Sequence, residues 1–205
     1  MKRVSTPILP LTLISNEWQL ALLLGIATML ASPTHAQSAS QAGLLMRATC
    51  GGSLLTADEG NSGGLNDYVD LSSVHHDLSA PVRTGASITP GTLAIEPIRI
   101  VKSTSASSIG MIAAMAQGQT CSEILVENWQ SRGSIGLAPV WRLELTQAFI
   151  VARKEWQTAD ESAPAAPQES FELRPSRVSW THFILDTSGV TPLEFTWDFE
   201  TNTSP

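Results

Sequence analysis

Trp141-Arg142-Leu143-Glu144-Leu145-Thr146-Gln147-Ala148-Phe149-Ile150-Val151 decides the fold class. It alternates apolar and polar residues and then turns apolar, as a long strand does on leaving a half-buried surface. A Pro/Ala linker follows, and then Glu169-Ser170-Phe171-Glu172-Leu173-Arg174-Pro175-Ser176-Arg177-Val178-Ser179-Trp180-Thr181. Phe171 and Leu173 point one way and Val178 and Trp180 another, with Pro175 marking an edge, bulge or turn between them. The last apolar run is Phe195-Thr196-Trp197-Asp198-Phe199.

Working toward the N-terminus, further strands are predicted at Gly43–Cys50, Tyr68–Val74, Leu93–Lys102 and Ile124–Trp129. Between them, Leu54–Leu65 and Asp77–Gly91 are rich in Gly, Pro, Asp and Asn and read as flexible loops. Gly133-Ser134-Ile135-Gly136 reads as a turn. One helix is expected, Ile109–Gln117, with Ser103–Ser108 supplying N-cap residues and Gly118 ending it. Its apolar face is Ile109, Ile112, Ala113 and Ala116. One short helix among roughly seven or eight strands predicts an all-β fold, an antiparallel barrel or sandwich.

The chain has 205 residues, 15% charged and 42% hydrophobic, enough for one domain with a sizeable core. Its formal charge of −7 leaves no electrostatic footprint for nucleic acid. Lys2 and Arg3 precede the apolar run Leu20–Ala31, and Thr34-His35-Ala36 then offers a small-x-small cleavage site before Gln37. The run is short for a membrane span but suits a signal peptide. The expected organisation is therefore a signal peptide at 1–36, cleaved between Ala36 and Gln37, a flexible leader at 37–42, and a β-domain at 43–205. The mature chain is then secreted or periplasmic, without a membrane anchor. A start at Met29 would instead remove the apolar run and keep the chain in the cytoplasm. Cleavage removes Lys2, Arg3 and Glu17 and leaves a formal charge of −8. Cys50 and Cys121 both lie in the mature part. In an oxidising compartment they can pair, or they can remain two buried thiols.

Chemistry-bearing patterns are sparse. His75-His76-Asp77 is the obvious metal candidate, but adjacent strand residues face opposite ways, so the pair is a poor chelate. Ser134 in Arg132-Gly133-Ser134-Ile135-Gly136 lacks the first glycine of a nucleophile elbow and precedes no helix. Asp58, Glu59, Asp67 and Asp70 do not have EF-hand spacing. No catalytic residue, metal or cofactor is expected. Six tryptophans suit core packing better than a sugar platform.

Taken in order, Ile95-Glu96-Pro97-Ile98-Arg99-Ile100-Val101-Lys102, Ser107-Ser108, Gly118, the strand Leu143–Val151, Val178-Ser179-Trp180-Thr181, Gly189, Trp197-Asp198 and Asn202 resemble the hemolysin-coregulated protein (Hcp) family of type VI secretion tube subunits. The helix opening departs from that pattern: Ser105-Ala106-Ser107-Ser108 stands where the family has an acidic residue and a proline. The resemblance implies a non-catalytic homo-oligomer, a hexameric ring able to stack into a conduit for secreted effectors or to meet other secretion components. By the same resemblance Asp58, Glu59, Gly60, Asn61, Gly63 and Gly64 form the candidate inter-ring loop. The alternative is a secreted β-sandwich that binds carbohydrate or protein without building a tube.

Overall fold

Strict alternation builds the central sheet. In Ile98-Arg99-Ile100-Val101-Lys102-Ser103, Ile98, Ile100 and Lys102 are fully buried while Arg99 and Ser103 are exposed, the period of two that a strand imposes. The computed structural model describes residues 43–57, 59–61, 64–80, 82–83, 89–90, 92–132, 136–157, 167–186 and 189–204. Its first strands are β1 (Gly43–Cys50), β2 (Ser53–Leu54), β3 (Val69–Leu71), β4 (Ser73–His75), β5 (Leu78–Ser79), β6 (Val82–Arg83) and β7 (Thr89–Pro90). Then come β8 (Ala94–Ile95), β9 (Ile98–Ser103), the helix α1 (Ala106–Ala116), β10 (Thr120–Ser131), β11 (Leu137–Trp156), β12 (Gln168–Asp186) and β13 (Gly189–Asp198).

One nine-stranded antiparallel sheet runs β2-β1-β10-β11-β12-β9-β4, with β3 on β1 and β13 on β12. Two small ladders, β5–β8 and β6–β7, stand apart from it. The ladder does not close into a barrel, although Val69–His75 reaches both ends of the path through Leu71 on Leu44 and Ser73 on Val101. The concave side holds the core: Met46, Ala48, Ile98, Ile100, Ile124, Val126, Leu143, Leu145, Phe171, Leu173 and Val178, capped by Met111 and Ala114 of α1.

The long strands bend at one place. β12 pairs with β9 through Leu173 and with β13 from Arg177 onward, so Pro175 sits where the partner changes. Pro175 is buried and opposite Ala148, inside one continuous strand rather than at an edge or turn. On β11 the buried positions change from Leu143 and Leu145 to Ala148 and Ile150 across Gln147, whose φ of 49° turns the backbone. The parity switch keeps both halves of a 20-residue strand facing the core.

Three sequence expectations change. The strand expected at Tyr68–Val74 is two short ones parted at Ser72, and the one at Leu93–Lys102 is interrupted at Glu96-Pro97, because proline cannot donate to a ladder. The helix begins three residues earlier than expected and turns a different face inward. Ser107, Ser108, Met111 and Ala114 are buried, whereas Ile109 is 70% exposed. A buried lysine draws the serines in, as described next. Cys50 and Cys121 face each other across β1–β10 and are joined as a disulfide.

Candidate functional site

The loop between β2 and β3 carries the residues expected to contact a neighbouring ring. Asp58 and Gly63 lie outside the described residues, as do Ala36, Gln37 and Ser134. Glu59, Gly60, Asn61 and Gly64 are described, and they are tied down rather than free. Thr56 is fully buried; its hydroxyl donates to the Asp67 carbonyl at 2.6 Å and accepts the Ala48 N–H at 3.3 Å. Asn61 donates to the Tyr68 carbonyl at 2.8 Å and accepts the Leu65 N–H at 3.1 Å. Thr56, Glu59, Asn61 and Gly64, expected to belong to a flexible loop, are therefore each held by hydrogen bonds.

Glu59 makes the decisive tie. Its carboxylate accepts the Ser107 N–H and the Ser105 hydroxyl, the latter at 2.9 Å, at the first turn of α1. A helix N-terminus presents unpaired N–H groups and partial positive charge, so a carboxylate there is stabilising. The acidic group absent from the local helix sequence is thus supplied by a residue 46 positions upstream of Ser105.

Behind Ser105 lies a buried ionic row. Alternation forces Lys102 inward after Ile98 and Ile100, and a buried cation needs a charge partner and hydrogen bonds. Glu169 stands opposite it in the β9–β12 register, with Nζ to carboxylate 3.0 Å and both side chains fully buried. Lys102 also donates to Ser105 Oγ at 2.6 Å, Ser108 Oγ at 3.0 Å and the Ser103 carbonyl at 3.1 Å. Ser108 in turn donates to Glu169. The second Glu169 oxygen takes Arg153 at 2.9 Å, and Arg153 reaches Glu155 at 2.8 Å. One hydrogen-bonded chain therefore runs from the loop, through α1, to the far end of β11.

A second buried carboxylate anchors the other end of the loop. Glu127 lies on the face of β10 opposite Ile124 and Val126, and it accepts Arg142 Nε at 2.7 Å, Tyr68 OH at 2.7 Å and Trp129 Nε1 at 3.0 Å. Burial, together with this bond to a carboxylate, pushes the Tyr68 phenol far above its usual range. Tyr68 thus stays a neutral donor and holds the start of β3.

The two histidines diverge. His75 turns to the Ser73 hydroxyl at 3.0 Å. His76 lies against Trp141 and Trp180, ring centroids 6.4 Å from each. Among the described residues no cluster of His, Cys, Asp and Glu has the geometry to hold a metal ion.

Four of the exposed large apolar residues, Ile184, Val190, Leu193 and Phe195, lie on the β12–β13 hairpin. Its register puts Trp180, His182 and Ile184 beside Phe195, Leu193 and Thr191, all on one side. Leu193 is 55% exposed, and Phe195 and Ile184 are each 48% exposed. Trp180, Phe195 and Trp197 stack across the two strands at 5.7 and 6.1 Å. Sequence reasoning had placed the tryptophans mainly in the core. In the structure Trp180 and Trp197 are only half-buried: Val178 is the last core residue of β12, and Trp197 pairs with it from the outer strand.

An antiparallel sheet packed against one short helix, with a hydrogen-bonded β2–β3 loop and an exposed apolar hairpin face, defines a small β-rich domain. The family model described as "Type VI secretion system effector, Hcp" matches residues 59–182, more than half of the chain. The chain belongs to the Hcp family, the structural tube proteins of type VI secretion. A structure described as a type six secretion system protein superposes with a TM-score of 0.66 at 12% identity, covering 80% of this chain and 100% of that one. The secreted protein Hcp3 from Pseudomonas aeruginosa gives 0.59 at 18% identity over 78% and 99% of the two chains. Hcp1 from Salmonella typhimurium gives 0.60 at 11% over 80% and 99%. At these identities the structures speak to fold alone. No curated protein matches the chain in sequence.

Proposed function

We propose that this chain is an exported Hcp-type ring subunit, closing into hexamers whose rings stack through the Glu59–Gly64 loop. Family membership carries the reading, and the β12–β13 hairpin supplies the physical means. Ile184, Leu193 and Phe195 offer an apolar face on a hairpin whose outer strand, among the described strands, pairs with β12 alone. A heterologous contact between that face and another surface of the next copy generates a ring when the rotation closes. The function is mechanical, so no catalytic residue takes part.

Export rests on the N-terminal charge, apolar run and Ala36-Gln37 site, and fits a disulfide between Cys50 and Cys121. Multi-angle light scattering and negative-stain microscopy of the mature protein test the assembly. Closed rings are expected, and a monomer at micromolar concentration would overturn the reading. Mass spectrometry of the N-terminus tests export separately, with Gln37 expected as the first residue.

A further inference from the structure

His76 follows β4 and projects onto the tryptophan pair at the root of the apolar hairpin. Its ring is nearly parallel to Trp141, at 16°, and tilted 39° from Trp180. The Trp180 indole N–H donates to His76 Nε2 at 3.3 Å. That bond requires an unprotonated Nε2, hence a neutral ring carrying its hydrogen on Nδ1.

His76 also lines a cavity of about 550 Å³, together with His75, Asp77, Glu96, Pro97, Arg99 and Glu172. Arg99 and Glu172 are paired at 2.9 Å and offset one another. Asp77 from the same segment and Glu96 from the turn before β9 leave that cavity with negative charge. Trp141 on β11 and Trp180 on β12 present no charge to the ring, and His182 stands next to Trp141 in the β11–β12 register.

We propose that His76 is a proton-operated clasp: neutral, it pins Trp180; protonated, it releases the indole and swings into the acidic cavity. An imidazolium has a hydrogen on both nitrogens, so two donors would confront each other where one bond stood. Cation–π attraction offers it little in return, because at 6.4 Å both indole centroids lie just beyond the roughly 6 Å within which that attraction is strongest. Burial lowers the pKa of His76, while Asp77 opposes with a smaller pull. The switch therefore operates at mildly acidic pH and the clasp is closed at neutrality. The clasp does not depend on ring formation, since every group in it belongs to one chain.

Tryptophan emission of the mature protein followed from pH 7.5 to 4.5 provides the test. A one-proton transition with its midpoint below the ordinary histidine range is expected. It should vanish in His76→Gln and survive in His75→Gln and His182→Gln. No transition, or one that persists in His76→Gln, overturns the proposal. Should His76→Gln fail to fold by circular dichroism, the wild-type imidazole nitrogen spectrum at pH 7.5 decides. The Nδ1–H tautomer supports the clasp, and an Nε2–H tautomer overturns it.

Discussion

Glu59 binds a loop to a helix that lies far from it in the sequence, and that single carboxylate sets where the loop stands. Glu59→Gln keeps the shape but removes the charge that meets the helix N-terminus. A loss of about 1–2 kcal/mol is expected in urea unfolding, with faster hydrogen exchange at the Ser107 amide. Lys102→Met acts differently, because it takes the cation from Ser108 and from one oxygen of the buried Glu169, leaving Arg153 as that carboxylate's one remaining cation. About 3–5 kcal/mol, or failure to fold, is expected from the same measurement. His76 contributes a pH dependence of known sign. Its folded-state pKa is depressed, so the unfolded chain takes up the proton first as pH falls. Stability is therefore highest above about pH 6.5 and declines as pH drops from there to the folded-state value, and His76→Gln should flatten that slope in denaturation curves. Of these roles only that of Lys102 was written in the local sequence, as the third inward position of Ile98-x-Ile100-x-Lys102, although from the sequence alone it reads only as the end of a strand. That of Glu59 was not, since nothing local distinguishes it from a solvated loop acid.

At the level of elements, strands announced themselves wherever alternation was unbroken. Gly43–Cys50 has the expected bounds, and the strand expected over Leu143–Val151 lies inside β11. Failures came where a proline or a charge intervened. Pro97 cut one strand in two, whereas Pro175 stayed within another because the partner of β12 changes there from β9 to β13, so the missing N–H interrupts neither of those ladders. The helix face was misread because apolar spacing pointed to Ile109, while the buried Lys102 demanded Ser105 and Ser108. The disulfide gives this scale its prediction. It closes a loop of 71 residues, and the chain-entropy estimate puts its removal at about 4 kcal/mol. Cys50→Ala with Cys121→Ala should lower the denaturation midpoint accordingly while β1 still pairs β10. Thiol titration of denatured wild-type protein from an oxidising compartment should find no free thiol. Two free thiols there would count against a stabilising cross-link.

For the whole molecule, the question is which surface carries one copy onto the next. Charge is a weak answer, because charged residues are 15% of the chain and the exposed ion pairs Arg47–Glu123 and Arg177–Asp198 are already satisfied within it. The β12–β13 hairpin is the better answer: Ile184, Leu193 and Phe195 stand exposed on one of its faces, and among the described strands its outer strand pairs with β12 alone. Leu193→Asp and Ile184→Asp place charge on that face at positions about half exposed, so each should change folding stability by no more than about 0.5 kcal/mol. Both should nevertheless convert rings into monomers, since a desolvated, unpaired carboxylate is strongly unfavourable at an interface. Ring formation by the wild type should depend little on salt, as expected for an apolar contact. Glu59→Gln should leave single rings intact and weaken only their stacking, because the loop it holds lies apart from the hairpin in the strand order. Light scattering separates these outcomes by mass. Rings that persist in both aspartate variants would remove the hairpin from the contact without touching the family assignment, and stacks that survive Glu59→Gln would do the same for the loop.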